Sequence, residues 1–280
     1  MKSLESFYQN KNVVITGGSS GIGLALAENL SALGANITII ARRKELLDAA
    51  IEKLEHASVS QDQRFTSLIG DISNQESISA TLNDYISKNS PTDILINCAG
   101  VAHPGRFEAL DIDIFHWMIN VNYLGTVYVT KQFIPGMIAR HSGTVVNISS
   151  LAGLLGVYGY TAYGASKYAV RGFSDVLRAE MKPQGIGVSI VFPPDTDTPQ
   201  LAYESQYKPP VTKIIAGNAG GLSAEKVANA ALKGIAQGKY IITPGIEGSI
   251  IYRLTNLLGR LIYPIMDLMV KDAIKKTSSK

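Results

Sequence analysis

A buried strand that runs into a glycine-rich turn and then into a helix is the feature that most constrains this chain. Residues 12–15 are typical of a buried strand, residues 24–33 have helical periodicity, and the turn between them contains Gly17, Gly21 and Gly23. Glycines let a backbone bend tightly and approach a pyrophosphate, whose charge is stabilised at the N-terminus of the following helix. The spacing Gly-x-x-x-Gly-x-Gly departs from the Gly-x-Gly-x-x-Gly pattern of many dinucleotide folds. The position between strand and helix nevertheless favours phosphate binding over a structural turn.

Strand-like and helix-like stretches alternate along the rest of the chain. The strand-like runs cover residues 37–41, 65–69, 94–97, 144–148, 188–192 and 240–243. This alternation is typical of a parallel sheet covered by helices on both faces. The sequence therefore predicts an α/β fold in a single domain, with a doubly wound, Rossmann-type parallel sheet.

The composition agrees with one large domain and excludes several classes of function. The chain has 280 residues, of which 46% are hydrophobic, and this suffices for a substantial core. A net charge of +3 gives no reason to expect a nucleic-acid partner.

The single cysteine, Cys98, lies in an apolar run where a packed, unreactive thiol is expected. The four histidines lack ligand spacing, so no metal site is predicted. Residues 1–11 are mostly polar, and we expect a cytoplasmic protein without a secretory signal.

Tyr163 and Lys167 are the strongest candidates for chemistry. Four-residue spacing on a helix places the phenol and the ammonium on one face. A neighbouring cation favours the phenolate, so we expect Lys167 to lower the tyrosine pKa from its usual value of ~10. Tyr163 could then give a proton to a ketone. The spacing alone also permits an ordinary surface pair.

Several motifs, taken in order along the chain, resemble the short-chain dehydrogenase/reductase family. The resemblance runs from about residue 12 to about residue 243 and includes the glycine turn, Asp71 after a strand, and the strand end Asn97-Cys98-Ala99-Gly100. It implies an active-site tetrad of Asn122, Ser150, Tyr163 and Lys167. Ser149 is the alternative to Ser150, which lies thirteen residues before the tyrosine.

The resemblance also implies a role for each member of the tetrad. Ser150 would polarise the substrate carbonyl, and Tyr163 would protonate it. Lys167 would lower the tyrosine pKa and bind the nicotinamide ribose, while Asn122 would hold a water molecule that resupplies the proton. The implied cofactor contacts are Gly17, Ser19, Ser20, Gly21, Ile22, Gly23, Arg42, Arg43, Asp71, Ile72, Asn97, Ala99, Gly100, Tyr163, Lys167, Pro193, Thr196 and Thr198.

The end of the second predicted strand indicates which dinucleotide is bound. Enzymes that use NAD carry an acidic residue there for the ribose hydroxyl, but this chain has Ala41. Arg42 and Arg43 follow, and a planar guanidinium suits a 2′-phosphate. We therefore predict NADPH. A solvated basic helix start is the alternative, and it does not explain the missing acid.

The run Pro-Pro-Asp-Thr-Asp-Thr-Pro at residues 193–199 indicates the substrate. It resembles the 3-ketodihydrosphingosine reductases of this family, which reduce a long-chain lipid ketone to dihydrosphingosine in sphingolipid synthesis. Asp195 and Asp197 could attract the substrate ammonium or cap the next helix. Another lipophilic carbonyl, such as a steroid or retinoid, remains an alternative substrate. A dinucleotide-binding regulator that has lost activity is a further alternative.

The chain is expected to divide into a catalytic part and a C-terminal extension. Residues 1–248 would form the dinucleotide-binding catalytic domain, with a mobile substrate lid at about 199–222. Residues 249–280 are apolar, but Arg253, Arg260 and Asp267 argue against a membrane span. Three interpretations of this extension stay open: peripheral contact with the cytosolic face of a membrane (the endoplasmic reticulum in a eukaryote), an oligomer interface, or a cover over the substrate cleft. The family resemblance implies a homo-oligomer.

Overall fold

Nine strands are present in the computed structural model, which describes residues 3–216 and 221–278. In chain order they are β1 (Asn12–Thr16), β2 (Asn36–Ala41), β3 (Phe65–Ile69), β4 (Ile94–Asn97), β5 (Gly143–Ile148), β6 (Ile186–Val191), β7 (Thr196–Asp197), β8 (Leu222–Ser223) and β9 (Ile241–Ile242). Seven of them form one sheet in the order β3-β2-β1-β4-β5-β6-β9, and β7 pairs with β8.

Helices occupy most of the chain between the strands. They are α1 (Leu4–Tyr8), α2 (Gly21–Ala32), α3 (Lys44–His56), α4 (Gln75–Lys88), α5 (Ile112–Met118), α6 (Gly125–Arg140), α7 (Thr161–Met181), α8 (Pro199–Tyr207), α9 (Pro210–Ala216), α10 (Ala224–Ala236), α11 (Gly245–Leu258) and α12 (Ile262–Ser278). A π-helix at Ile119–Leu124 joins α5 to α6, and a 3₁₀ turn at Leu151–Gly153 follows β5.

All strand pairs of the large sheet are parallel, which confirms the predicted doubly wound α/β fold. Strand β1 lies between β2 and β4, with Val13 opposite Ile37 on one side and Ile94 on the other. The chain therefore winds outward from β1 in both directions. In sheets of this kind, ligands bind in the crevice beyond the carboxyl ends of the two strands where the winding reverses.

Apolar side chains cover both faces of the sheet. On β1, Val13 and Ile15 pack with α2, α3 and α10, whereas Val14 packs on the opposite face with α4, α6 and α7. Alternate side chains of a strand point to opposite faces, so a strand with two covered faces needs apolar residues at every position. This is why the central strands are mostly apolar in the sequence.

The predicted lid at residues 199–222 contains two helices, α8 and α9, rather than a continuous loop. The prolines suggested a loop, but Pro199 lies in the first turn of α8, where proline is tolerated because its missing N–H has no helical partner. The hydroxyl of Thr198 caps this helix by accepting a hydrogen bond from the Leu201 amide, 3.3 Å away. Residues 217–220 of the predicted lid lie outside the described residues.

The C-terminal extension is also helical. Helix α11 begins at Gly245, so the division predicted after residue 248 falls inside this helix. Helix α12 packs against α9 and α11. Within the part of the chain that the structure describes, no helix combines the length and the apolar content needed to cross a membrane.

Candidate active site

The turn between β1 and α2 brings two stretches of backbone into close contact. Gly17 has a φ of +70°, and a Cβ atom there would lie 2.8 Å from the Cα of Ala99 at the end of β4. A Cβ atom on Gly23 would lie 2.2 Å from the carbonyl oxygen of Gly17. Both positions therefore require glycine, and together they keep the turn free of side chains at the carboxyl edge of β1 and β4.

The N-terminus of α2 has the donors that an anion requires. Ser20 precedes the helix, and its side chain makes no capping hydrogen bond. The first amide groups of a helix have no partner within the helix, and the helix dipole favours negative charge there. The glycine turn opens directly onto these amides. These residues therefore fit the pyrophosphate of a dinucleotide.

Arg42 and Arg43 extend this site at the end of β2, directly beside the glycine turn. Both side chains are exposed, and neither forms an ion pair within residues 3–216 and 221–278. Lys44, in contrast, pairs with Asp48 on α3. The two guanidinium groups are thus free to bind an anionic group at the edge of the dinucleotide site.

Helix α7 presents Tyr163 and Lys167 on its buried stripe, so the pair is not on the surface. The Lys167 Nζ donates to the Ile148 carbonyl at 3.0 Å and lies 5.7 Å from the centre of the Tyr163 ring. Ser150 starts the 3₁₀ turn after β5, and its side chain lines the same cavity as Tyr163. Ser149 instead donates to the backbone of α7, at 3.1 Å from the Lys167 carbonyl. This arrangement favours Ser150 over Ser149 as the residue that contacts a substrate.

Asn122 lies on the π-helix between α5 and α6, a distortion that often occurs at functional sites. Its amide group donates to the Val101 carbonyl and to the Ser166 hydroxyl, both at 2.9 Å, and its oxygen accepts from the Val101 amide. A Cβ atom on Gly100 would lie 3.2 Å from Asn122 Oδ1 and 3.4 Å from Lys167 Nζ. Asn122 and Lys167 therefore both approach the backbone at the end of β4.

Burial, rather than Lys167, determines the ionisation of Tyr163. Burial raises the tyrosine pKa above its usual range, and the Glu204 carboxylate raises it further, while the polar side chains of Ser150 and Gln200 act in the opposite direction. Burial also lowers the pKa of Lys167 to about 8. The expectation that Lys167 holds the tyrosine pKa below ~10 is therefore wrong for this structure, because desolvation disfavours both charged groups. Tyr163 is a protonated acid at neutral pH.

A cavity of about 530 Å³ joins these groups. Thirteen of the predicted site residues line it: Gly17, Ser20, Gly21, Ile22, Gly23, Ala99, Gly100, Ser150, Tyr163, Lys167, Pro193, Thr196 and Thr198. The predicted site residues that do not line it are Ser19, Arg42, Arg43, Asp71, Ile72, Asn97 and Asn122. The cavity therefore reaches from the glycine turn to the Tyr163 hydroxyl.

Three predicted cofactor residues make contacts within the protein. Asp71 accepts hydrogen bonds from the amide and the hydroxyl of Ser73, at 2.9 and 2.7 Å. The side chain of Ile72 is buried against Gly125, so only its backbone could face a ligand. Asn97 joins β4 to β5 by donating to Asn147 at 2.9 Å. A role for these three residues in cofactor binding stays a prediction.

The C-terminal helices form an apolar roof over the cavity. Helix α11 contributes Ile251 and Leu254, and α12 contributes Ile265, Met266 and Met269. The interpretation of the extension as a cover over the cleft therefore agrees with the structure. An apolar compartment next to a proton donor is suited to a lipophilic substrate.

Gln200 and Glu204, two polar residues on the cavity wall, were missed by sequence reasoning. Gln200 and Glu204 lie one turn apart on α8 and line the cavity. Glu204 accepts a hydrogen bond of 2.7 Å from the Tyr160 hydroxyl, and Lys208 pairs with Asp195 at 2.8 Å. The four-residue spacing of Gln200, Glu204 and Lys208 is a helical signal that could have been found, had the segment not been interpreted as a loop.

Comparisons with known proteins agree with this geometry. A family model described as short chain dehydrogenase matches residues 11–208. The chain belongs to the short-chain dehydrogenase family. A 3-dehydrosphinganine reductase of Danio rerio is 39% identical over 245 residues, which cover 87% of this chain and 74% of that protein. A 3-ketodihydrosphingosine reductase of Dictyostelium discoideum is 36% identical over 94% of this chain and 83% of its own length.

Solved structures of the family share the fold. A short-chain dehydrogenase from Sphingobium yanoikuyae in complex with NADPH has a TM-score of 0.77 and is 26% identical, with 92% of this chain and 96% of that chain covered. A family member from Burkholderia phymatum in complex with NAD has a TM-score of 0.79 at 24% identity, over 91% and 95% of the two chains. This short-chain dehydrogenase is therefore an oxidoreductase that uses a nicotinamide dinucleotide.

Proposed function

We propose that this short-chain dehydrogenase uses NADPH to reduce the ketone of 3-ketodihydrosphingosine to the alcohol of dihydrosphingosine. The observation that carries the proposal is the cavity, which places Ser150 and Tyr163 beneath an apolar roof formed by α11 and α12. The names of the relatives from Danio rerio and Dictyostelium discoideum support the sphingoid ketone as substrate. The unpaired Arg42 and Arg43 beside the glycine turn support NADPH over NADH.

Reduction of a ketone requires a hydride at the carbon and a proton at the oxygen. Bound NADPH supplies the hydride. The Ser150 Oγ accepts from the Ala152 amide at 3.1 Å, which leaves its O–H free to donate to the substrate carbonyl. Tyr163 then gives its proton to the same oxygen, and the Lys167 ammonium stabilises the phenolate that forms. Both amide hydrogens of Asn122 are used, by Val101 and Ser166, so a water molecule that returns the proton would have to be held by an acceptor oxygen of this residue.

The purified chain is expected to oxidise NADPH when 3-ketodihydrosphingosine is supplied in detergent micelles. A panel of steroid, retinoid and simple ketones, each assayed with NADPH and with NADH, tests the proposal. Preferential turnover of the sphingoid ketone with NADPH would support both the substrate and the cofactor. Turnover of another ketone alone would show that the proposed substrate is wrong, while the proposed ketone reduction would stand. Tight NADPH binding without any turnover would favour the dinucleotide-binding regulator.

We expect ketone reduction to decline as the pH rises through about 8, the value to which burial lowers the pKa of Lys167. Above this value the lysine loses the positive charge that stabilises the phenolate, so kcat/KM should fall by about tenfold per pH unit. Tyr163 keeps its proton in this range because its pKa is raised. The measurement is the pH profile of kcat/KM at saturating NADPH. In Lys167→Arg the guanidinium stays charged, so any residual activity should lack this decline; an unchanged decline would exclude Lys167 as its source.

We also propose that the outer face of the C-terminal helices binds to a membrane surface, from which a lipid ketone could enter the cavity. This face is apolar and exposed: Leu257 and Leu261 retain 83% and 67% of their accessible surface. Lys275 and Lys276 at the end of α12, of which Lys276 pairs with Asp272, add positive charge to this helix. A second copy of the chain is the alternative occupant of this face.

The membrane proposal predicts that the full chain floats with liposomes that contain anionic lipid, and that Leu257→Glu/Leu261→Glu does not. The matched control is Ile112→Glu on α5, where the side chain is 66% exposed but far from the C-terminus in sequence. Flotation should be unaffected in this control. If the double variant still floats, or if the full chain never does, the membrane proposal is wrong. A change in sedimentation without flotation of either form would instead assign the face to an oligomer contact.

A further inference from the structure

Glu204 is a buried carboxylate on the wall of the catalytic cavity, and the chemistry described above does not use it. Only 6% of its surface is exposed, although it lines the cavity. Its two oxygens accept one hydrogen bond each, from the Tyr160 hydroxyl at 2.7 Å and from the Gln200 amide at 2.9 Å. An ionised carboxylate has about four acceptor positions. Two of them therefore remain available for a donor inside the cavity.

Glu204 lies close to the reacting oxygen, because its field raises the pKa of Tyr163. Gln200, which donates to Glu204, lines the same cavity as Tyr163. The hydroxyl of Tyr160 donates to the other carboxylate oxygen, and the centre of the Tyr160 ring lies 5.5 Å from the centre of the Tyr163 ring. The carboxylate of Glu204 is thus one side chain away from the proton donor. A substrate that offers its ketone to Tyr163 would present the groups next to that ketone to Glu204.

Glu204 forms no ion pair within residues 3–216 and 221–278. Lys208, directly after α8, is a nearby cation, but its ammonium pairs with Asp195 at 2.8 Å. Lys167 is the other cation whose field reaches Glu204, and its ammonium donates to the Ile148 carbonyl instead. Burial raises the pKa of Glu204 in spite of the hydrogen bonds from Gln200 and Tyr160 and the field of Lys208. A buried carboxylate without a paired cation is costly, and a cationic ligand group would remove this cost.

We propose that Glu204 binds the ammonium group of the substrate and thereby selects a ketone with an amine on the adjacent carbon. The proposal rests on the proposed function, because the sphingoid ketone carries its amine on the carbon next to the carbonyl. Asp195 and Asp197, the two carboxylates suggested by the sequence, are less suited to this role. Asp195 is neutralised by Lys208, and Asp197 is exposed and does not line the cavity. Glu204 is therefore a specificity-determining residue.

The test compares 3-ketodihydrosphingosine with the analogue that lacks only the amine, at saturating NADPH, in the wild type and in Glu204→Gln. We expect the kcat/KM of the wild type to be about 30-fold higher for the amino ketone than for the analogue, which is the effect of a weak interaction between buried charges. In the variant the two values of kcat/KM should be nearly equal. A structural role for Glu204 would lower both rates and leave their ratio unchanged. The ratio thus separates recognition from folding.

Two further variants complete the experiment. Glu247→Gln makes the same change at another carboxylate that lines the cavity but is exposed, and it should keep the wild-type ratio. Glu204→Asp keeps the charge on a shorter side chain and should retain part of the preference, which keeps the test decisive if the glutamine variant does not fold.

The proposal is overturned if the wild type shows no preference for the amino ketone, or if Glu204→Gln keeps it. Because the wild-type preference requires no variant, it can refute the role of Glu204 on its own. Turnover of the analogue at an equal rate would overturn this inference while the reductase activity stands. Turnover of neither ketone would overturn the proposed function and this inference together.

Discussion

Tyr163→Phe is expected to reduce ketone turnover by about 10²- to 10⁴-fold, the usual contribution of a positioned general acid. The change removes a single hydroxyl group, and the ring keeps its place in the buried stripe of α7. The raised pKa of Tyr163 means that the wild-type phenol is protonated across the neutral range, so the variant removes the proton donor itself. The measurement is kcat for 3-ketodihydrosphingosine, together with the dissociation constant of NADPH, which should change little.

Tyr168→Phe is the matched control, because it makes the same change on the same helix at a side chain that is 43% exposed. It should retain wild-type turnover. If Tyr163→Phe retained full turnover with intact NADPH binding, Tyr163 would not be the general acid. Another group in the cavity would then have to protonate the ketone oxygen.

Arg42→Ala/Arg43→Ala is expected to weaken NADPH relative to NADH by about 10- to 100-fold. A hydrogen bond to a charged group contributes about 1.5–3 kcal/mol, and the exposure of both side chains places the pair at the lower end of this range. NADH lacks the 2′-phosphate, so its binding should change little. The measurement is the ratio of kcat/KM for the two cofactors at low salt, since screening weakens exposed charge pairs.

Arg64→Ala is the control for this double variant. Arg64 is exposed as well, but it precedes β3 at the amino edge of the sheet, away from the glycine turn. The cofactor ratio should keep its wild-type value. An unchanged ratio in the double variant would show that the 2′-phosphate binds elsewhere, and NADPH selection would have to be assigned to other residues.

The fold could be predicted because its signals are local. The central strands β1, β2 and β4 are predominantly apolar, since both faces of the sheet are covered there. The glycine turn was identifiable because Gly17 and Gly23 lie at positions that exclude any side chain. The spacing of Tyr163 and Lys167 placed both on one helix face. In each case the cause lies within a few residues.

The parts that could not be predicted depend on contacts between distant segments. Tyr160 and Glu204 meet across 44 positions of sequence, and no local pattern records that contact. The direction of the Tyr163 pKa shift depends on burial, which is a property of the folded molecule. Pro199 and Pro210 suggested a loop, although each stands at the start of a helix.

The apolar residues of the C-terminal extension lie on two different faces of its helices. Its apolar residues were consistent with a membrane surface, an oligomer contact or a cover over the cleft. On α12, Ile262 and Met266 are half-buried and line the cavity, whereas Tyr263 and Leu268 are exposed and do not line it. Helical periodicity separates the two sets, since side chains three or four positions apart share a face. The cover over the cleft accounts for one face, and the exposed face is the basis of the membrane proposal.

Transfer of deuterium from labelled NADPH tests the central claim most directly. The chain would be incubated with 3-ketodihydrosphingosine and NADPH that carries deuterium on either face of the nicotinamide C4, and the lipid product analysed by mass spectrometry. The account predicts dihydrosphingosine with one deuterium on the former ketone carbon, from one of the two labelled cofactors only. NADPH consumption without a labelled product, or no reduced lipid at all, would contradict it.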